Sequence, residues 1–357
     1  MKYTFFILII SILTISCTRN ANTKNGQSNI ELIKVDFSKE YTQKKFPNTN
    51  YSMRVQRLED NKDFPVGYVD KLIVNDERIY LLDRSKSQSI FVYNRAGTLL
   101  QVINRIGNGP GEFTSPTDFD VDKKTDNLLV MDANLRKILI YSPKGNFIRE
   151  FKYDSFAIRL LLDDEGNIIL DNGNIPSPEG AYYLSRIDQN GKHLNSFFPA
   201  DSSVLGITLN SREPLQRTEN ELFFLPVLSN RIYSLQDDEP SLVYQIDFGK
   251  YWPDNNFCEQ MKKVHPLKIR QFMFENNYVC FLNYIQTKDV LHIDFYKDKN
   301  YSLYYNKQTK QSLLVAMEDE SMSFPLATYG NEFVFIKYNE ITGAPTVVFY
   351  TVNFDLL

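Results

Sequence analysis

The chain has 357 residues, 43% of them apolar and 24% charged, with 40 Lys+Arg against 44 Asp+Glu for a formal net charge of -4. Such a chain can bury a core, which excludes general disorder, and without a basic excess nucleic acid is not expected as a partner. Three cysteines exclude a disulfide-dense scaffold, and the length exceeds the usual single core of roughly 250 residues, leaving two domains or one repeat architecture.

The chain opens with Met1-Lys2, an almost wholly apolar run from Tyr3 to Ile15, then Ser16 and Cys17. A charged start, a short apolar stretch and a small residue before the cut form the plan of a secretory signal. The run is shorter than the roughly 20 residues a spanning helix needs. A cysteine at its end resembles the bacterial lipoprotein signal, although Thr14 stands where that signal prefers Leu. The resemblance implies removal of residues 1–16, acylation of Cys17 and attachment to a membrane through the lipid. Residues 17–29, polar and rich in Asn, read as a flexible tether. In lipoproteins of the enteric kind, whose signal this one resembles, the absence of Asp just after the cysteine implies transfer to the outer membrane, and by the same resemblance the absence of an acidic cluster favours a periplasm-facing location in the cell envelope.

From residue 30 onward short apolar runs alternate with turn residues. Ile79–Ile103 and Leu128–Phe151 share one plan: a strand ending in Asp (Asp83, Asp132), a polar turn, a second strand, a turn containing Gly (Gly97, Gly145) and a third strand. The Tyr93–Tyr141 and Gly97–Gly145 spacings are both 48, and Gly191 follows Gly145 by 46. A strand-built period of that size is the signature of a β-propeller blade. A lone four-stranded sheet leaves two apolar faces exposed, so neighbouring blades must stack around an axis. Fainter units follow at Asn167–Phe198, Glu221–Gly249, Tyr278–Val315 and Glu332–Val352. The reading is an all-β, six-bladed propeller over residues 30–357, with four-stranded antiparallel blades and Ile30–Phe37 as a spare strand suited to closing the ring.

Gly107–Phe151 resembles an NHL repeat at Gly109, Gly111, Phe113, Pro116, Phe119, Val121, Asp122, Asp132, Lys137, Ile138, Tyr141 and Gly145. With the cysteine signal, the whole chain resembles the six-bladed, NHL-like or TolB-like propeller lipoproteins of Bacteroidetes. That likeness implies fold and location, not chemistry.

The residues offer little catalytic spacing. GNGPGEF (Gly107–Phe113) is GxGxG before a strand, so it reads as a tight turn rather than a phosphate loop. Asp83, Asp132 and Asp171 lack the clustered oxygens of a calcium loop and read as turn caps. His193, His265 and His292 have no metal-ligand spacing. Cys258 and Cys280 lie 22 apart; pairing and two free thiols both stay open. Tyr251–Asn277 stands out: it carries the only Trp, basic residues, and a partial helical period through Phe257, Met261, Val264, Ile269 and Phe272, and reads as a small helical insertion. It is either a docking patch or a connection covering apolar blade surface.

The expected function is non-catalytic binding by a lipid-anchored, monomeric scaffold without cofactor or metal, for an unknown protein or carbohydrate ligand. Arg84, Arg105, Arg136 and Trp252 are the candidate binding residues by loop position, and Cys17 the lipidation site. The alternative is a glycan or peptide lyase or hydrolase at the mouth of the central channel.

Overall fold

The computed structural model describes residues 30–42, 51–173, 175, 180–200, 212–236, 239–254, 260, 263–317, 324–339 and 343–354. Three short strands come first: β1 (Glu31–Lys34), β2 (Glu40–Thr42) and β3 (Tyr51–Arg57). Blade 1 follows as β4 (Lys71–Val74), β5 (Arg78–Asp83), β6 (Ser89–Asn94) and β7 (Leu99–Ile103). Blade 2 is β8 (Asp118–Val121), β9 (Leu128–Asp132), β10 (Lys137–Tyr141) and β11 (Phe147–Lys152). Blade 3 is β12 (Arg159–Leu162), β13 (Ile168–Asp171), β14 (Tyr182–Ile187) and β15 (His193–Pro199). Blade 4 is β16 (Leu215–Thr218), β17 (Glu221–Phe224), β18 (Arg231–Ser234) and β19 (Ser241–Asp247). Blade 5 is β20 (Cys280–Gln286), β21 (Val290–Tyr296), β22 (Asn300–Asn306) and β23 (Ser312–Met317). Blade 6 is β24 (Ala327–Tyr329), β25 (Glu332–Tyr338) and β26 (Pro345–Val352), completed by β3.

The six-bladed propeller expected from the repeat is the observed fold. Its driving force is visible in β5. Because side chains alternate across a strand, Ile79 and Leu81 pack toward blade 6 while Tyr80 and Leu82 pack toward blade 2. Each neighbouring pair of blades shares one such apolar cluster, and the cluster between blades 6 and 1 completes the circle. Every fully buried Leu, Ile or Phe contributes about 1.5–3 kcal/mol, a gain a blade obtains only beside its neighbours.

Two expectations need correction. Ile30–Phe37 does not close the ring: β3 does, antiparallel to β26 with Tyr51 opposite Val352 and Arg57 opposite Thr346. Arg54 seals the joint with a bidentate bond to Glu332 at 2.7 and 2.6 Å. The blades are also not uniformly four-stranded. The segment containing β1 and β2 adds a fifth, parallel strand to blade 4 (β1 on β19) and to blade 5 (β2 on β23), covering edges that would otherwise stay unpaired. Ile33 and Phe37 insert into the core between those blades.

The repeating glycines have a structural cause. Gln56, Gln101 and Arg149, from the outermost strands of blades 6, 1 and 2, each donate a side-chain hydrogen bond to a carbonyl in the next blade's Gly turn: Ala96, Pro143 and Gln189. A Cβ on Gly97 would lie 2.0 Å from the Arg57 carbonyl oxygen, and one on Gly191 would lie 2.0 Å from that of Lys152. The helical insertion is present as α1 (Ile269–Glu275), which buries Ile269 and Met273 against Cys280. Phe257, Met261 and Cys258 lie outside the described residues.

Candidate functional site at the channel mouth

The first strand of each blade lines the central channel, and these strands run alongside one another in the same direction. Asp118 accepts the Leu160 N–H and Asp120 the Leu162 N–H, both at 2.8 Å, so β8 and β12 advance in step. The end where these strands begin is the mouth; the end where they turn back into the second strands is the base.

At the mouth, charged residues from four blades converge. Lys71 pairs with Asp118 at 2.9 Å. Arg159 contacts Asp171 at 3.2 Å and Glu213 at 3.6 Å, and donates to the Arg212 carbonyl. Burial pulls the Lys71 ammonium down, but Asp118, Glu213 and Asp120 together raise it, so it stays charged. Burial pushes the Asp171 and Glu213 carboxyls up, with Arg159 the main opposing influence on each. Arg212 spans the opening from blade 4: its backbone N–H donates to Asn283 of blade 5 at 2.6 Å, and its guanidinium donates to the Val69 carbonyl of blade 1 at 3.3 Å. The guanidinium carbon lies 5.4 Å from the ring centre of Tyr68, itself 51% exposed, so one cation–π pair bridges opposite walls of the mouth. Deeper in the channel, Arg217 reaches Asp120 at 3.2 Å.

The second strands of blades 1 to 3 deliver Asp83, Asp132 and Asp171 to this same end. Asp83 accepts the N–H groups of Gly67, Ser85, Lys86 and Ser87. Burial alone would raise its carboxyl, but the N–H groups of Lys86, Gly67 and Ser87 hold it below its ordinary value. Asp132 likewise accepts from Thr114 and Leu135, so both acids cap their own turn and staple the incoming loop. Asp171 keeps the turn bond to Gly173 and gives its other oxygen to Arg159. In the GxGxG turn Gly111 has φ +72°, and Glu112 accepts the Gly109 N–H, as a tight connection requires.

The residues picked from loop position sit elsewhere at this end. Arg84 is exposed, and its N–H donates to Asp70. Arg105 is exposed, and its carbonyl accepts the Phe113 N–H. Arg136 is exposed, has φ +49° and donates to the Asp154 carbonyl. Trp252 is partly buried, stacked on Phe248 at 5.6 Å. None of the four bonds to the Lys71–Arg159–Glu213 group among the described residues. That group went unseen because Lys71 and Arg159 each stand alone at the start of an inner strand and Glu213 lies two residues before one. KLIV, DFDV and RLLL each begin with a charge, and this recurrence is the one signal that marks them.

Cys17 lies outside the described residues. Cys280 is a buried free thiol whose pKa burial pushes up to about 12. His292 is buried between blades 5 and 6, bonded to Asp294 at 2.9 Å and stacked on Tyr304. No group of three or more His, Cys, Asp or Glu side chains is arranged to hold a metal among the described residues.

A protein of Bacteroides fragilis whose export is inferred has a similar structure: TM-score 0.73, 15% identity, covering 91% of this chain and 99% of that one. A member of the duf4221 family from Bacteroides vulgatus gives a TM-score of 0.55 at 10% identity, covering 85% of this chain and 98% of that one. Virginiamycin B lyase from Staphylococcus aureus gives 0.45 at 12% identity, covering 85% and 99%, a likeness too loose to bear on chemistry. Both closer likenesses show the fold alone. No curated protein matches the sequence. A family model described as a 6-bladed beta-propeller matches residues 22–337, and the chain therefore belongs to that family, DUF5128.

Proposed function

We propose that the protein is a binding propeller of the bacterial cell envelope, tethered by an acylated Cys17 to the outer membrane on its periplasmic side, with its ligand site at the channel mouth. The observation that carries this reading is the Tyr68–Arg212 pair. An exposed aromatic face and a guanidinium stand over a floor whose charges already neutralise one another. Such a pair offers apolar area and directed hydrogen bonds to a protein or carbohydrate ligand without reacting with it. The cysteine signal supports the tether, and the inferred export of the Bacteroides fragilis protein is in keeping with an envelope location.

Two measurements test it. Metabolic labelling with a palmitate analogue should mark the native chain and not Cys17→Ala; equal labelling removes the anchor. Cross-linking of the full-length protein to envelope components should yield an adduct that Tyr68→Ala and Arg212→Ala each weaken about tenfold, the usual effect of losing a central anchor. An adduct unchanged in both variants moves the site elsewhere.

A lyase or hydrolase acting on a glycan or peptide is the second reading. Its support is that Asp171 and Glu213, both raised by burial, converge on one arginine, and a raised carboxyl is what an acid catalyst requires. Arg159 opposes that rise in both groups, which favours the binder.

A further inference from the structure

The N-terminal strap has a direction, and that direction bears on how the ring meets a membrane. Glu31, at the start of β1, pairs with Lys310 at 2.6 Å and accepts from the Tyr305 hydroxyl. Lys310 belongs to the turn joining β22 to β23. That turn is fixed to the channel base: the Gln308 side chain donates to Asp289 at 3.1 Å, and the Lys307 N–H donates to the Asp289 carbonyl at 2.8 Å. Asp289 lies in the turn between β20 and β21, where an inner strand ends. The other end of the strap is at the mouth. Phe37 packs on Tyr251 at 4.9 Å with the Lys297 ammonium 5.2 Å from its ring centre, and both partners belong to mouth-side connections. The chain therefore enters the ring at the base and climbs toward the mouth.

We infer that the tether presents the base of the propeller to the bilayer and turns the channel mouth away from it, toward partners in the aqueous space. This rests on the lipid-anchor reading of Cys17. Twelve residues, Thr18–Asn29, separate Cys17 from Ile30. A coil of that length has a root-mean-square span of about 20 Å. The seven-residue strand β20 alone measures about 23 Å along its length. To lay the mouth on the membrane, a tether leaving the base must stretch past the thickness of the ring. To lay the base there, it need not stretch at all. The turns at the base mix acids such as Glu77, Asp126 and Asp164 with lysines such as Lys123, Lys124, Lys144 and Lys288, so the charge of this face does not set the orientation, and the length of the tether does. The surface that the membrane leaves free is the one holding Tyr68 and Arg212.

The orientation can be measured without relying on natural acylation. The chain from Cys17 onward, with Cys258→Ser, is coupled through Cys17 to a maleimide lipid in phosphatidylcholine–phosphatidylglycerol vesicles. Cys280 is buried, its thiol pushed up to about 12, and needs no replacement. A donor dye is placed by a clickable amino acid at Lys288, exposed in the base turn of blade 5, or at Leu267, 85% exposed on the mouth side of the same blade. Energy transfer to a headgroup-labelled acceptor should be at least about twofold greater from position 288, given a span near one ring thickness. Equal transfer, or greater transfer from position 267, overturns the orientation. Absence of palmitate label on the native protein overturns the anchor instead, so the two failures are distinct.

Discussion

Replacing Gly97 with alanine is expected to destabilise the fold by about 3 kcal/mol or more, combining roughly 1–2 for a left-handed backbone with roughly 1–3 for overpacking. Gly97 has φ +85°, and its new Cβ would sit 2.0 Å from the Arg57 carbonyl oxygen, a backbone atom that cannot rotate away. The damage falls on the joint that closes the ring. Glu59, just beyond β3, donates its N–H to the Gly97 carbonyl at 2.8 Å, and its carboxylate accepts the Leu99 N–H at 2.9 Å. Moving the Gly97 turn aside therefore loosens the closing strand from blade 1. Gly330 supplies the control. Its φ is +58°, yet a Cβ added there would meet no atom within 4 Å, so Gly330→Ala should cost only about 1–2 kcal/mol. Urea denaturation of both variants checks the comparison. Equal losses would mean that the inter-blade contact contributes nothing beyond backbone strain.

The blade period was readable because one physical constraint repeats. Gly97, Gly145 and Gly191 all stand where a turn lies close to the preceding blade, with Arg57, Gln101 and Lys152 as the respective nearest neighbours. Ring closure was not readable, for a reason that is also local. The closing strand, YSMRVQR, has only partly buried or exposed residues, whereas Ile33 of β1 is fully buried. Apolar patterning therefore points to the wrong segment, since an outermost strand needs hydrogen bonds more than it needs grease. The channel cluster was hidden for a different reason. Lys71, Asp118 and Arg159 are separated by 47 and then 41 residues, and a single charge before an apolar run looks like any solvated strand start. Only the circle brings them together. Arg84 and Arg136 lie in mouth-side turns, as expected of loop residues, but those turns join second to third strands, outside the inner ring.

Arg159→Met should remove about 3–5 kcal/mol of stability at pH 7, the usual cost of stranding a buried partner charge. The methionine keeps most of the side-chain volume, so the loss reports charge rather than a cavity. Arg159 is the largest influence opposing burial at both Asp171 and Glu213, and without it both carboxyls rise further above their ordinary values of 3.8 and 4.5. A carboxyl whose folded pKa lies above its unfolded one binds more protons in the native state, so stability falls as pH rises between the two values. The penalty should therefore be smallest near pH 4 and grow toward neutrality, measured as the difference in denaturation midpoint from the native protein at each pH. Adding Asp171→Asn and Glu213→Gln to Arg159→Met should flatten that dependence and restore part of the stability, because the triple variant leaves no charge stranded at this point of the mouth. A deficit that stays constant with pH, or a triple variant no better than Arg159→Met alone, would show that the arginine acts there by packing and that the floor of the mouth is not electrostatically balanced.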